Sequence, residues 1–423
     1  MALSSNNRVI QTALEALYGV GADPGAFIYL LVANADLPGM AAQEATRNII
    51  QPHLGSRPAQ PWQERVPLVW GVEAVGSGDV AVEPHFDAML QAAGWARVQL
   101  TGTATVQAAP IAVGTPTGSW SYTVGAGFTG ANRRRVTVIC TTAGASGTAQ
   151  ATVAAPAVGL GETAEAAYEV TGVAITDATP ITLPGGAEIT PTLSADWEVG
   201  DQWVIELVPP GIEYWPSSDR AGHKSLVAKY NVDEVMFEAR GARFQLGAQW
   251  QIGGWPLLNF RGRGLYGAPT EVALGDADFS TIREPEVLDT NSFQIHVEPT
   301  DLSAAPWSPT GQSFDLTGGA DVRDKSRTNL NNVEIVNHEL TASLLVELER
   351  ISTIDVFALS NMRRRVRATS GTRLGERCEI CVANGQIGTV SLREDGGDVM
   401  ATLPMRCLSP QGAGDDEVCI RFF

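Results

Sequence analysis

Charge, cysteine and long apolar runs are all scarce in this sequence. Only 18% of residues are charged, and 29 Lys plus Arg stand against 47 Asp plus Glu, a formal net charge of −18. That balance argues against ordinary DNA binding, which needs cations to displace the counterions around phosphate. It suits a chain that repels polyanions. Five cysteines, an odd number, do not make a disulfide framework. Nothing approaches the roughly 18 consecutive apolar residues of a membrane helix. The opening MALSSNNRVIQ has neither a basic n-region nor an apolar h-region, so the expectation is a protein made in a cytosol, without a membrane span.

Catalytic signatures are missing too. The five histidines (53, 85, 223, 296, 338) show no ligand spacing. His338-Glu339 opens an H-E-x-x-H, but Ala342 takes the last place. No G-x-S-x-G elbow occurs. Gly262, Gly264 and Gly267 match G-x-G-x-x-G after a strand, yet Ala268-Pro269-Thr270 follows where a nucleotide site needs a helix, so a glycine-rich turn is expected. Cys378 and Cys381 form a C-x-x-C with Cys407 and Cys419 downstream. A strand would point residues 378 and 381 to opposite faces, which favours buried thiols over zinc. The acidic groups Asp276/Asp278 and Glu394/Asp395/Asp398 lack EF-hand spacing and read as solvated turns. No enzyme, metal or cofactor is expected.

What is present is alternation. The chain has 423 residues, 44% apolar, with 44 glycines and 24 prolines, which suits short strands joined by turns. Residues 40–51 and 63–75 read as a hairpin around a Pro/Gly-rich loop. In its second strand Val66, Leu68, Trp70 and Val72 share one face and Arg65, Val69 and Glu73 the other. A second ribbon spans 312–350. Phe314, Leu316, Ala320 and Val322 oppose Asp315, Thr317 and Asp321. After a polar loop at 325–332, a return strand over 333–348 sets Val336, His338, Leu340, Ala342, Leu344, Val346 and Leu348 against Asn337, Glu339, Thr341, Ser343 and Glu347. Further strands are predicted at 27–32, 226–231, 235–239, 242–250, 257–265, 377–382, 388–393, 400–408 and 418–422.

Helices are predicted over 6–18 (Ile10, Leu14, Leu17, Tyr18), 83–94 (Phe86, Met89, Leu90, Ala93) and 352–365. In the last, Ser352 with Asp355 makes a capping box, and Arg363–Arg365 suit the negative helix end. A hairpin followed by a short helix, occurring twice, suggests two equivalent halves. Between them, from about residue 101, charge thins and six short strands follow at turn-marked intervals (119–124, 135–141, 149–153, 167–173, 188–193, 202–207). This reads as a protruding β-sandwich insert over 101–213, dividing a domain of 1–100 and 214–423. Arg133–Arg135 could touch a partner, and Trp197 with Trp203 could form a glycan platform or pack inside the insert.

The order helix, Leu37-Pro38-Gly39, a strand with Glu44 and Arg47, Pro52-His53-Leu54-Gly55, a strand ending at Gly78 and a helix ending at Ala92-Ala93-Gly94-Trp95 resembles the major tail tube proteins of long non-contractile-tailed bacteriophages. Gly262-x-Gly264-Leu-Tyr-Gly-Ala-Pro269-Thr270, Ser313–Leu316, Arg323 and Asp415–Glu417 with Phe422 add to it. The insert resembles the immunoglobulin-like decorations of some tail proteins. The resemblance implies a mainly β tail-tube sandwich or half-barrel with two flanking helices. Its long hairpins would close an inner β-barrel in hexameric rings, which stack into the conduit for genome ejection. The lumen would be lined by Glu44, Thr46, Asn48, Glu73, Asp315, Thr317, Asp321, Asn337, Glu339, Thr341, Ser343 and Glu347. An inter-ring loop of Gln51, Pro52, His53, Leu54, Gly55, Ser56, Arg57 and Pro58 would dock on the next ring. Implied partners are further copies, the tail tip or baseplate, the tape measure and the tail terminator. Double-stranded DNA would pass without specific binding, and the insert, on the tube exterior, could contact the host surface. The location would be the virion tail. A secreted β-sandwich adhesin, a tube-like hub or baseplate component and a hydrolase are the competing readings.

Overall fold

The computed structural model of the chain describes residues 7–46, 59–159, 164–274, 277–302, 304–410, 412 and 414–423. Among them the fold is mainly antiparallel β with one α-helix, Asp87–Ala92. None of their helices is long and apolar enough to cross a membrane.

Alternating side chains produce two β layers. The first, here the platform, sets Ala59–Glu73, Leu257–Tyr266, Val235–Gln251, Gly311–Thr317, Thr341–Glu347 and Asp398–Cys407 side by side, each antiparallel to the next. The second sets Trp95–Leu100, Gly211–Pro216, Val418–Phe422, Cys378–Ile387, Arg363–Ser370 and Phe293–Pro299 in order. The layers join where Gly385 pairs with Cys407. Trp70, Phe244, Phe260, Trp250 and Phe314 from the platform share one core with Tyr214, Ile380, Ile420 and Phe422 from the second layer and with Phe86, Met89 and Leu90 around the helix. The Phe86 and Phe422 rings meet edge to face at 5.5 Å. Each such buried side chain contributes roughly 1.5–3 kcal/mol of transfer free energy. No barrel closes among the described residues.

Two predicted helices are not helices. Arg8–Leu14 is a strand, zipped between Leu226–Val232 and Ile28–Leu30. Its apolar spacing fits a helix only by coincidence, and the two neighbouring strands satisfy its backbone instead. In 352–365, Asp355 does cap, accepting from the N–H groups of Phe357 and Ala358, but it caps only a 3-10 turn, Phe357–Leu359. Arg363–Ser370 is a central strand with partners on both sides. The repeated hairpin-helix order therefore does not hold, and one flanking helix exists where two were expected.

The second ribbon also differs from expectation. The polar loop at 325–332 is a tight hairpin, Val322–Arg327 with Leu330–Ile335, turning through Asn329 at φ +62°. The return strand is two strands, Leu330–Ile335 and Thr341–Glu347, with a bend between. Gly318 and Gly319 make the bend possible: a Cβ at Gly318 would overlap the Leu246 carbonyl, and one at Gly319 the Glu339 carbonyl. The expected strands at 235–239 and 242–250 form one strand, Val235–Gln251, with a bulge between Arg240 and Arg243.

The insert has its own sheets and its own core. Tyr168–Ala174, Gln150–Ala155, Arg134–Thr142, Gln202–Leu207 and Ile111–Ala112 form one sheet; Ile181–Thr182, Glu188–Ala195 and Ser119–Ala126 form the other. Trp120, Phe128, Trp197 and Trp203 fill the space between. The chain leaves the body after Trp95–Leu100 and re-enters on Gly211–Pro216, with Leu100 opposite Gly211. Residues 211–213 thus lie in the body, not in the insert.

Candidate functional site

The pairing register decides which polar residues share a face. Glu73, Leu257, Gln249, Asp315, Ser343 and Pro404 are successive cross-strand partners across the platform. The adjacent row is Gly71, Asn259, Gly247, Thr317, Thr341 and Arg406, continued by Gln386. Directly opposed residues in a sheet lie on one face, so these two rows make a continuous polar surface backed by the aromatic core. Five of the expected lumen residues (Glu73, Asp315, Thr317, Thr341, Ser343) fall on it. Glu347 lies further along the same strand, exposed and opposite Met400.

The remaining expected lumen residues lie elsewhere. Asp321, Asn337 and Glu339 sit at the bend, where the Asp321 N–H donates to the Asn337 carbonyl at 2.7 Å and the Asp321 carboxylate pairs with Arg323 at 2.6 Å. Glu44 and Thr46 lie on a two-stranded ribbon, Ala41–Thr46 against the start of Ala59–Glu73, beyond a register break between Ala41 and Gln43. The break coincides with Gln63 at φ +56°, so the alternation does not carry over from platform to ribbon. Asn48 and Gln51–Pro58 lie outside the described residues, as do Arg47 and Asp276.

The face is not purely acidic. Arg261 and Arg406 are exposed on the same face as Glu73 and Asp315. Partial burial raises both carboxyls from their ordinary values, and the nearby Glu284 adds to the rise at Glu73. Neutral hydrogen-bonding groups dominate between them. A groove of about 600 Å³ runs over Thr317, Thr341, Ser343, Asn361, Gln386 and Arg406. The two arginines went unread because Arg261 sits in a glycine-interrupted strand and Arg406 lies two residues after Pro404, which hides the period-two signal.

A second constellation lies on the outer face of the second layer. Glu213, Arg421 and Glu379 are cross-strand partners there, and Arg365 opposes Glu298. The insert covers them, bringing Arg133 to Glu379 at 2.8 Å and Glu206 to Arg365 at 2.7 Å. Arg367 adds contacts to Glu298 and Glu379, and Arg421 pairs with Glu213. Burial alone would raise the carboxyls of Glu206 and Glu379. Arg365 and Arg133 around the first, and Arg133 and Arg367 around the second, outweigh it and bring both down to about 2. Four guanidinium groups thus meet four carboxylates (Glu206, Glu213, Glu298, Glu379) in a buried, charge-balanced seam that fixes the insert to the body. Arg135 joins from the edge, donating to the Ala304 carbonyl at 2.6 Å. The basic run Arg133–Arg135 therefore finds partners within its own chain. The sequence signal was the Arg365-Val366-Arg367-Ala368 alternation, which a strand reading would have exposed.

Other motifs resolve plainly. Gly262 and Gly264 lie inside a strand, where a Cβ at Gly262 would overlap the Arg243 carbonyl at the bulge. The five cysteines are buried and unbridged. No cluster of three His, Cys, Asp or Glu placed to hold a metal occurs among the described residues. Trp197 and Trp203 stack at 4.1 Å inside the insert core, 1% and 3% exposed, and are not a surface platform. No protein-family model and no curated protein sequence matches the chain.

Proposed function

We propose that the chain is the structural subunit of a bacteriophage tail tube, polymerising as stacked hexameric rings whose bore conducts the genome. The observation that carries this reading is the platform with its projecting ribbon. One face of the platform is polar across all six strands. From its first strand extends a two-stranded ribbon whose root exposes Leu37, Met40 and Trp62, at 56%, 52% and 47%. A lone two-stranded ribbon is marginal in water, and exposed apolar side chains at its base call for a cover. A neighbouring copy supplies both. Copies joined edge to edge around a ring would cover the exposed strand Ser391–Asp395 beyond Asp398–Cys407 and turn the polar rows towards the bore. The mixture of hydroxyls, amides and a few charges of both signs would let DNA slide, since few counterions could be released on contact. On this reading the insert lies outside the tube, the tail tip, tape measure and terminator are its partners, and the location is the virion.

Negative-stain electron microscopy of the purified full chain tests the reading, with hollow tubes as the expected result. Deleting 51–61 should leave a folded subunit that does not stack. Glu73→Lys with Glu347→Lys should assemble but slow DNA passage. Compact particles without a central hole at every protein concentration would overturn the proposal.

A further inference from the structure

A cavity of about 670 Å³ opens between the Val235–Gln251 bulge and the Val322–Ile335 hairpin, lined among others by Tyr18, Arg220, Arg243, Lys325, Asn332 and Glu334. Arg243 is the anomaly in it. Its side chain is 8% exposed, and among the described residues its Nε has no hydrogen-bond partner and the His223 carbonyl, at 3.3 Å, is the acceptor it reaches. A buried guanidinium without a counterion is costly, so its surroundings need an accounting.

The neighbouring carboxylates are already engaged. Glu334 is held by Lys325 at 2.8 Å and by Asn332 at 2.9 Å. Glu15 accepts from Gly19, Ser225 and Gly241. Asp324 is shared between Arg65 and Arg263, each at 2.7 Å. Among the described residues Arg220 reaches a carbonyl, that of Val336 at 2.7 Å, and no carboxylate. Two guanidinium groups therefore line one cavity with no carboxylate bound to either among the described residues. Tyr18 adds a donor: its hydroxyl accepts the Val333 N–H at 2.5 Å and keeps its own proton, while its ring lies 5.3 Å from the Arg243 guanidinium.

We propose that this cavity is an oxyanion-binding site, taking a phosphate or a carboxylate between Arg243, Arg220 and the Tyr18 hydroxyl. A planar guanidinium with free N–H groups matches either anion in a forked arrangement. Burial raises the Tyr18 phenol, which keeps it a donor at neutral pH, and lowers Arg243, the response of a cation still without its counterion. The site does not depend on the chain forming a tube.

Thermal unfolding of the full chain, titrated with sodium phosphate, sodium acetate or sodium chloride at constant ionic strength, tests it. A saturable rise in Tm with phosphate or acetate, absent with chloride, is expected, and the more effective salt identifies the ligand chemistry. Arg243→Gln and the exposed Arg220→Gln should each weaken the response by about tenfold or more. Should Arg243→Gln fail to fold, Arg220→Gln alone decides. No anion-specific rise in the parent, or an unchanged rise in the variants, overturns the proposal.

Discussion

Arg133 and Glu379 are 246 residues apart in sequence and 2.8 Å apart in space, in a contact that leaves 9% and 3% of their side chains exposed. One belongs to the insert and the other to the body. The pair shows that the insert is not merely tethered at Leu100 and Gly211. It closes over the charged outer face of the second layer and neutralises it.

Removing one member of this seam should cost more than removing two. Arg133→Met leaves Glu379 buried beside an unfilled position and is expected to destabilise the chain by about 3–5 kcal/mol, measured by urea unfolding. Arg133→Met with Glu379→Leu should recover a substantial part of that loss, because no charge is left stranded. Strict additivity of the two single changes would show that the pair is not coupled.

Acid should weaken the fold in two stages. Burial brings His85 and His296 down from 6.5 to about 4. A folded pKa below the unfolded one means that the unfolded chain takes up the proton first. Their contribution is therefore complete above about 6.5 and is lost as pH falls towards 4. Glu206 and Glu379, depressed from 4.5 to about 2, have the same sign and lose their contribution between those values. Asp87, Glu73 and Asp315, raised by burial, act in the opposite sense and recover some stability on acidification. Urea midpoints followed from pH 8 to pH 2.5 should fall first in the histidine window and again below 4.5. A His85→Gln, His296→Gln double variant should lose the upper stage only.

Gly318→Ala probes the bend in the second ribbon. The added methyl would meet the Leu246 carbonyl, a backbone atom that cannot rotate away. A loss on the order of 3 kcal/mol is expected in thermal or urea unfolding. Gly396→Ala, where a Cβ would meet nothing within 4 Å, serves as the comparison, although its φ of +63° carries a smaller strain of its own. Equal effects at the two sites would count against a tightly packed bend.

Local pattern was sufficient for much of the architecture. Gln202–Leu207 stands where its alternation placed it, and the helix at Asp87–Ala92 follows from the spacing of Phe86, Met89 and Leu90. Where two local signals competed, the sequence could not choose. Residues 8–14 have helical apolar spacing, and 363–370 follow a capping residue, yet both are strands because neighbouring strands take their backbone hydrogen bonds. A three-residue apolar period costs little to mimic by chance, while strand pairing is cooperative and non-local.

The polar platform was half legible for the same reason. Alternation shows that Asp315 and Thr317 share a face of one strand; only the register brings Glu73, Gln249, Asp315 and Ser343 into one row and leaves Glu44 beyond a break. The sequence by itself determined a β-rich acidic chain interrupted by a charge-poor segment. Tertiary structure alone decided that Arg133 lies against Glu379 and that, among the described residues, the carboxylates near Arg243 are bound to other groups. Those outcomes depend on segments hundreds of residues apart meeting in space, and no local period records such a meeting.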